Sequence, residues 1–205
     1  MTLAGEPVEL LPERAIRWGD TLLVADVHWG KTATFRRHGI PVPHGDLEED
    51  LARLDRLVAL AGIRRLVVLG DLVHARVPPE VEAAVATWRA ARPVELVLVR
   101  GNHDRHQPRL PAAWGIEDRD GPWRVGPFAF VHVPIEVDGA YALGGHLHPA
   151  AWVSGRGDAL RLPCFHFGAA VGVLPAFGTF TGGVIVRRAP ADRVYVIAGR
   201  EVREV

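Results

Sequence analysis

Short apolar runs, each followed at once by polar residues, punctuate the first three quarters of the chain. Thr21 to Ala25 leads into Asp26-Val27-His28, Arg65 to Leu69 into Gly70-Asp71, and Val94 to Val99 into Gly101-Asn102-His103-Asp104. Tyr141 to Leu143 does the same before Gly145-His146-Leu147-His148. Apolar runs of this length, bounded by glycine and polar residues, predict buried strands. Ligands of an α/β sheet collect beyond the carboxyl ends of its strands, so these four polar segments are expected to converge on one site.

Helical spacing takes over between the runs. Leu47, Leu51, Leu54, Leu57, Val58 and Leu60 predict a helix from Asp46, as N-cap, to Gly62, as the C′ residue that stops it. A second helix is expected from Pro78 and Pro79 through Val81, Val85 and Trp88, because proline is tolerated in a first helical turn. The strand near Val94 should then return parallel to the first. After residue 120 the pattern changes to hairpins, with Trp123 to Val125 and Phe128 to Val133 joined at Gly126-Pro127, and strands near Gly183 to Arg188 and Arg193 to Ala198. An α/β first half and a β-rich second half imply an α/β (α+β) architecture: two packed mixed β-sheets flanked by helices, with the site along one sheet edge.

The totals narrow this picture. With 205 residues, 48% of them apolar and 23% charged, one globular domain over residues 1–205 is expected. Cys164 is the single cysteine, so no intrachain disulfide forms and a reducing cytoplasm is the expected compartment. The N-terminal Met-Thr-Leu-Ala-Gly-Glu-Pro lacks the basic start and apolar run of a secretory signal, and no stretch is apolar long enough to span a bilayer, so no membrane association is expected. Formal net charge is zero, which gives no overall basic excess and leaves the partner open to a local patch.

The chemistry lies in the polar segments. Asp26 and His28 stand two apart at a strand end, where both side chains reach the same side and one cation. Asp71 offers two oxygens able to bridge two cations, Asn102 a neutral carbonyl oxygen, and His132, His146 and His148 imidazole nitrogens. Nitrogen and oxygen donors without thiolate suit Mn, Fe or Zn better than Mg or Ca. Taken singly, an Asp after a strand is a turn former and a His is a satisfied core or surface residue. The ordered conjunction Asp-x-His, Gly-Asp, Gly-Asn-His-Asp, His, Gly-His-x-His instead implies two adjacent divalent ions.

With these motifs in this order, the sequence from Asp26 to His148 resembles the calcineurin-like metallophosphoesterase superfamily. The resemblance implies that superfamily's fold, with Asp26, His28 and His148 at a first metal, Asn102, His132 and His146 at a second, and Asp71 bridging both. It further implies that His103 faces the scissile phosphate and that Asp104 orients it. Gly70-Asp71-Leu72-Val73-His74-Ala75-Arg76 departs from the Gly-Asp-x-Val-Asp-Arg-Gly of the protein phosphatases and dinucleoside polyphosphate hydrolases. A closer resemblance is to the DNA ligase-associated metallophosphoesterases. It is carried by Asp26-Val27-His28-Trp29-Gly30-Lys31, Phe35-Arg36-Arg37-His38-Gly39-Ile40-Pro41, Gly145-His146-Leu147-His148-Pro149, Leu162-Pro163-Cys164-Phe165 and Leu174-Pro175-Ala176-Phe177-Gly178. This implies a manganese-dependent phosphodiesterase acting as a DNA endonuclease, on single-stranded DNA, in repair alongside an ATP-dependent DNA ligase, a helicase and an exonuclease. Leucine is usual in that family where Val27 and Trp29 stand.

Other residues admit two readings. Lys31, at an expected helix start, could hold a substrate phosphate or be a solvated lysine, and Arg36, Arg37 and Arg105 share that ambiguity. Trp29 could stack on a nucleobase or pack under its loop, and His74 could touch substrate. His38, His44, His106 and His166 are given no role. The Leu174 to Gly178 and Thr181 to Gly183 segments are expected to be turns and strand packing that close the second sheet. Rival functions are a small-molecule phosphodiesterase or phosphomonoesterase, and a non-catalytic scaffold, which the intact donor set disfavours.

Overall fold

In the computed structural model, which describes residues 1–155 and 157–205, the apolar runs pair side by side. The first sheet has the order Glu9–Leu11, Ala15–Trp18, Thr21–Val24, Arg65–Leu69, Glu95–Val99, Ile116–Arg119, and its last four strands are parallel. Alternate residues of these strands serve two cores. Leu22, Val24, Leu66, Val68, Leu96 and Leu98 meet Leu54, Leu57, Val81, Val85 and Trp88 of the helices Asp46–Val58 and Pro79–Ala90. Leu23, Val67, Leu69, Val97 and Val99 face the second sheet. A strand buried on both faces must be apolar at nearly every position, which is why these runs show no alternation.

The second sheet follows the path Val184–Ile185, Pro149–Ser154, Ala159–Phe167, Val171–Val173, Tyr141–Gly144, Phe128–Phe130, Trp123–Val125, with Arg193–Ala198 and Glu201–Glu204 paired off Ala159–Phe167. Tyr141–Gly144 lies parallel to both its neighbours. Phe128, Phe130, Phe165 and Phe167 fill the space between the sheets, and burying each side chain contributes about 1.5 to 3 kcal/mol. On the opposite face of Ala159–Phe167, Cys164 joins Ala151, Val194 and Val196 in a small separate cluster. Among the described residues no α-helix follows Ala90, so the helical layer lies on the first sheet. None is long and apolar enough to cross a membrane.

Several local details differ from the sequence expectations. Asp46 is the first helical residue rather than the N-cap, which is Gly45 at φ 97°; Asp46 Oδ1 instead accepts a 2.6 Å hydrogen bond from Thr32 Oγ1. That helix stops at Val58, and Gly62, at φ 82°, shapes the turn beyond it. The strand from Phe128 ends at Phe130, because Val131 and His132 leave the sheet for the site. The segment 174–178 does not simply close the second sheet. Leu174 N–H donates to Gly144 in that sheet, but Phe177 N–H donates to Ala25 in the first, and the Phe177 ring lies in the helix-side core. This segment therefore ties the two sheets together beside the strand ends.

Candidate metal centre

The carboxyl ends of Thr21–Val24, Arg65–Leu69 and Glu95–Val99 meet those of Phe128–Phe130 and Tyr141–Gly144 along one rim. The backbone turns sharply there. Asp26, His28, Asp71, His146 and His148 have φ between 47° and 67°, and the only other non-glycine residues with positive φ among those described are Ala4 and Arg14. Left-handed backbone costs about 1 to 2 kcal/mol per residue, so five of these seven strained positions falling on expected metal ligands concentrates strain at one place. Bonds between the loops hold it: Asp26 N–H donates to Gly70, His28 N–H to Asp71, and Gly145 N–H to His132. Glycine is required where the loops touch. A Cβ on Gly70 would overlap the His132 ring, and one on Gly145 would overlap the Asp26 carboxylate.

Two sets of donors that include a carboxylate result, beside a third of imidazoles alone, His28, His74 and His103. Asp26, His28 and His148 each bring an atom within 4.8 Å of the others, and so do Asp71, His132 and His146. Asp71 lies between the sets, with Oδ2 3.9 Å from His28 Nε2 and Oδ1 3.4 Å from His132 Nε2. Asn102 Oδ1 is 2.9 Å from His132 Nε2, and His146 Nδ1 is 3.1 Å from it. The Leu69 carbonyl, 3.1 Å from His132 Nδ1, can only accept, so Nδ1 carries the proton. In the form that binds a metal, His132 presents a lone pair at Nε2 to the Asn102 oxygen, which also has only lone pairs to offer.

The first set repeats this. Asp26 Oδ2 accepts from His146 N–H at 2.8 Å, while Asp26 Oδ1 and both His28 ring nitrogens are buried without a hydrogen-bond partner. Burial, and then the Lys31 charge, pushes the His28 imidazole down to about 2, so it stays neutral with a free electron pair. Buried carboxylates and unprotonated imidazoles converging in this way are unfavourable alone and fit divalent cations. Nitrogen ligands whose second ring atom is bonded to a backbone carbonyl are the usual companions of such ions.

The remaining expected residues divide. His103 adjoins the first set: its ring lies 5.0 Å from that of His28 and stacks on that of His74 at 4.9 Å. Its Nδ1 is 2.8 Å from the His74 carbonyl, so Nδ1 holds a proton and Nε2 is left for another partner. Asp104, expected to orient this ring, has its carboxylate bonded elsewhere. Asp104 is fully buried and its carboxylate accepts from the backbone N–H groups of Asp71, Val73 and Gly101, which makes it the tie between two ligand loops. His74 does reach the site, stacked on His103.

Trp29 does not face a substrate. It is buried against Trp88 and Trp114, with ring centroids 6.4 and 5.5 Å away. Lys31 begins the helix Lys31–Arg37 next to His28, and burial lowers its pKa while Asp26 and Asp71 oppose that shift. Arg105 is exposed, Arg36 donates to the Pro43 carbonyl, and Arg37 pairs with Glu80. His38, His44 and His106 are exposed, and His166 pairs with Asp192 at 2.7 Å. Phe35 and Phe180, edge to face at 5.9 Å beside Lys31, carried no signal in the sequence, since an isolated phenylalanine in either setting reads as core.

Comparison with known proteins agrees with this geometry. A search of curated proteins finds no match. Among solved structures, the nuclease MPE of Pseudomonas putida is 40% identical, with a TM-score of 0.88 over 100% of this chain and 98% of that one. The model of the calcineurin-like phosphoesterases matches residues 20–169, a span that contains every donor described above. A metal-dependent phosphoesterase site is therefore built on a matching fold, and the chain belongs to the calcineurin-like phosphoesterase family.

Proposed function

We propose that this protein is a two-metal phosphodiesterase that cuts DNA within the strand, with manganese as the ion supplied. The observation that carries this reading is the position of Asp71, one carboxylate oxygen toward each donor set. Asp26, His28 and His148 would hold one ion and Asn102, His132 and His146 the other, with Asp71 placed to serve both. Such a pair of ions supplies positive charge to a phosphate and acidifies water for an in-line attack. The donor set, without thiolate, favours Mn, Fe or Zn.

The protein's own groups do the rest. The Leu69 carbonyl keeps the His132 lone pair directed inward, and His146 N–H fixes the Asp26 carboxylate. His103, its Nδ1–H held by the His74 carbonyl, acts in its doubly protonated form, in which Nε2–H hydrogen-bonds the phosphate or hands its proton to the departing oxygen. The expected result for His103→Ala is retention of both metals with turnover reduced about 10²- to 10⁴-fold; loss of bound metal would make His103 a ligand instead.

A nucleic-acid substrate is supported by the nuclease with which the chain shares 40% identity, and DNA by the ligase-associated motifs. The same motifs support a role in DNA repair with a ligase, a helicase and an exonuclease. Metal-stripped protein should cut circular single-stranded DNA only when manganese is restored, since a closed circle offers no end to an exonuclease. An intact circle, with an aryl phosphodiester still hydrolysed, would move the substrate to small molecules.

A further inference from the structure

The loop of residues 178–183 is fastened to both metal-centre loops: Gly178 N–H donates to Asp26 O, and Val184 N–H, just beyond it, to His148 O. A recess of about 360 Å³ on one side is lined by Lys31, Phe35 and Phe180. Another of about 190 Å³ on the other side is lined by His148, Arg14 and Arg161. Thr181 and Gly182 border both, so the two recesses adjoin at this loop. Arg14 and Pro163 likewise border a third recess of about 820 Å³, lined also by Arg53, Arg56 and Arg200 and by Glu13 and Glu49, and the three recesses in series make up a groove.

Arg53 is spent on Asp50, 2.7 Å away. Arg14 donates to the carbonyls of residues 176–178, Arg56 to that of Ala52 and Arg161 to that of Gly183, and among the described residues none of these, nor Arg200, forms an ion pair. In a chain of zero formal charge, Arg14, Arg56, Arg161 and Arg200 outnumber Glu13 and Glu49, the carboxylates that line the same recesses, and although Asp50 and Glu49 act on Arg14 they leave a local positive track that begins at His148. Phe180, 38% exposed and braced edge-on by Phe35, stands at the opposite end beside Lys31. A positive track with an aromatic platform is the chemistry that holds unpaired nucleotides, whereas a duplex has its base faces already stacked.

Building on the nuclease reading, we propose that single-stranded nucleic acid lies along this groove. One base rests on Phe180, the backbone passes His148, and its phosphates leave over Arg161, Arg14, Arg56 and Arg200. The test uses the manganese-loaded protein and its Arg56→Ala/Arg200→Ala double variant, assayed on oligodeoxythymidylate at several salt concentrations and on an aryl phosphodiester too small to reach either arginine. For the double variant, kcat/KM on the oligonucleotide should fall about tenfold, and the slope of its logarithm against log salt should shrink by about 1.4. The aryl diester should be cut as before. Phe180→Ala should raise KM for the oligonucleotide roughly fivefold.

An oligonucleotide cut by all variants with unchanged KM and salt slope would overturn the groove and leave the nuclease reading standing. Equal losses on both substrates would also overturn it, because the arginines would then act through the fold. Wild-type protein that cuts the aryl diester but no oligonucleotide would overturn the nuclease reading, and the groove with it.

Discussion

Replacing Asp71 with asparagine is expected to reduce phosphodiester hydrolysis on the order of 10³-fold or more, yet to leave the metal-free protein at least as stable as the unaltered one. The first half follows from position. The carboxylate faces both donor sets, so neutralising it weakens both metal sites at once, and several kcal/mol of transition-state charge stabilisation corresponds to that factor. The second half follows from charge. Asp26 and Asp71 are at most 2% exposed, and their only ion-pair contacts among the described residues are imidazoles, of which His28 is held neutral. Asparagine removes one of two neighbouring buried carboxylate charges that face a single cation, Lys31. It also keeps the Oδ1 that accepts from His103 N–H at 2.9 Å. Metal content, turnover and thermal unfolding with and without manganese check this together. Manganese should raise the unfolding temperature of the unaltered protein far more than that of the variant. A variant that keeps both ions and its turnover would remove Asp71 from the bridging role.

The difference between what could and could not be read beforehand has a physical origin. The donors were legible because each stands where a doubly buried strand runs out, and a continuous apolar run ending in Gly-Asp or Gly-Asn-His-Asp marks such a place. The hairpin of Pro149–Ser154 with Ala159–Phe167 was not legible. Pro149 and Pro163 argue against a strand by propensity, and only pairing, Ala150 against Pro163, overrides that. The fate of Trp29 depended on Trp88 and Trp114, which are distant in sequence and so invisible to local pattern. The carbonyls of Leu69 and His74, which fix the tautomers of His132 and His103, are backbone atoms and have no signature in side-chain identity. Asp104 was legible as a site residue, but its bonds to three backbone N–H groups were not, and the contact to His103 Nδ1 comes from the carbonyl of residue 74.

That placement makes Asp104→Ala the most informative stability variant. Its carboxylate accepts three backbone N–H groups, from Gly101 at 2.8 Å, Asp71 at 2.9 Å and Val73 at 3.1 Å, at a site with no solvent exposure. Water cannot replace it without opening the loops, and each orphaned buried donor costs about 1 to 3 kcal/mol. Partial relaxation brings the expected loss to about 3 to 5 kcal/mol, a large share of the roughly 5 to 15 kcal/mol that holds a typical domain folded. Asp104→Asn should fall between, since its one carbonyl oxygen can serve some of the donors while its NH2 group meets another donor. Denaturant unfolding of the metal-free variants reads this directly. The contrast with His103→Ala decides the role: if Asp104 ties the loops, its removal shifts the unfolding midpoint and weakens metal binding, whereas His103→Ala lowers turnover alone. Asp104→Ala protein with an unchanged midpoint but a turnover loss matching that of His103→Ala would restore Asp104 as the residue that orients the imidazole.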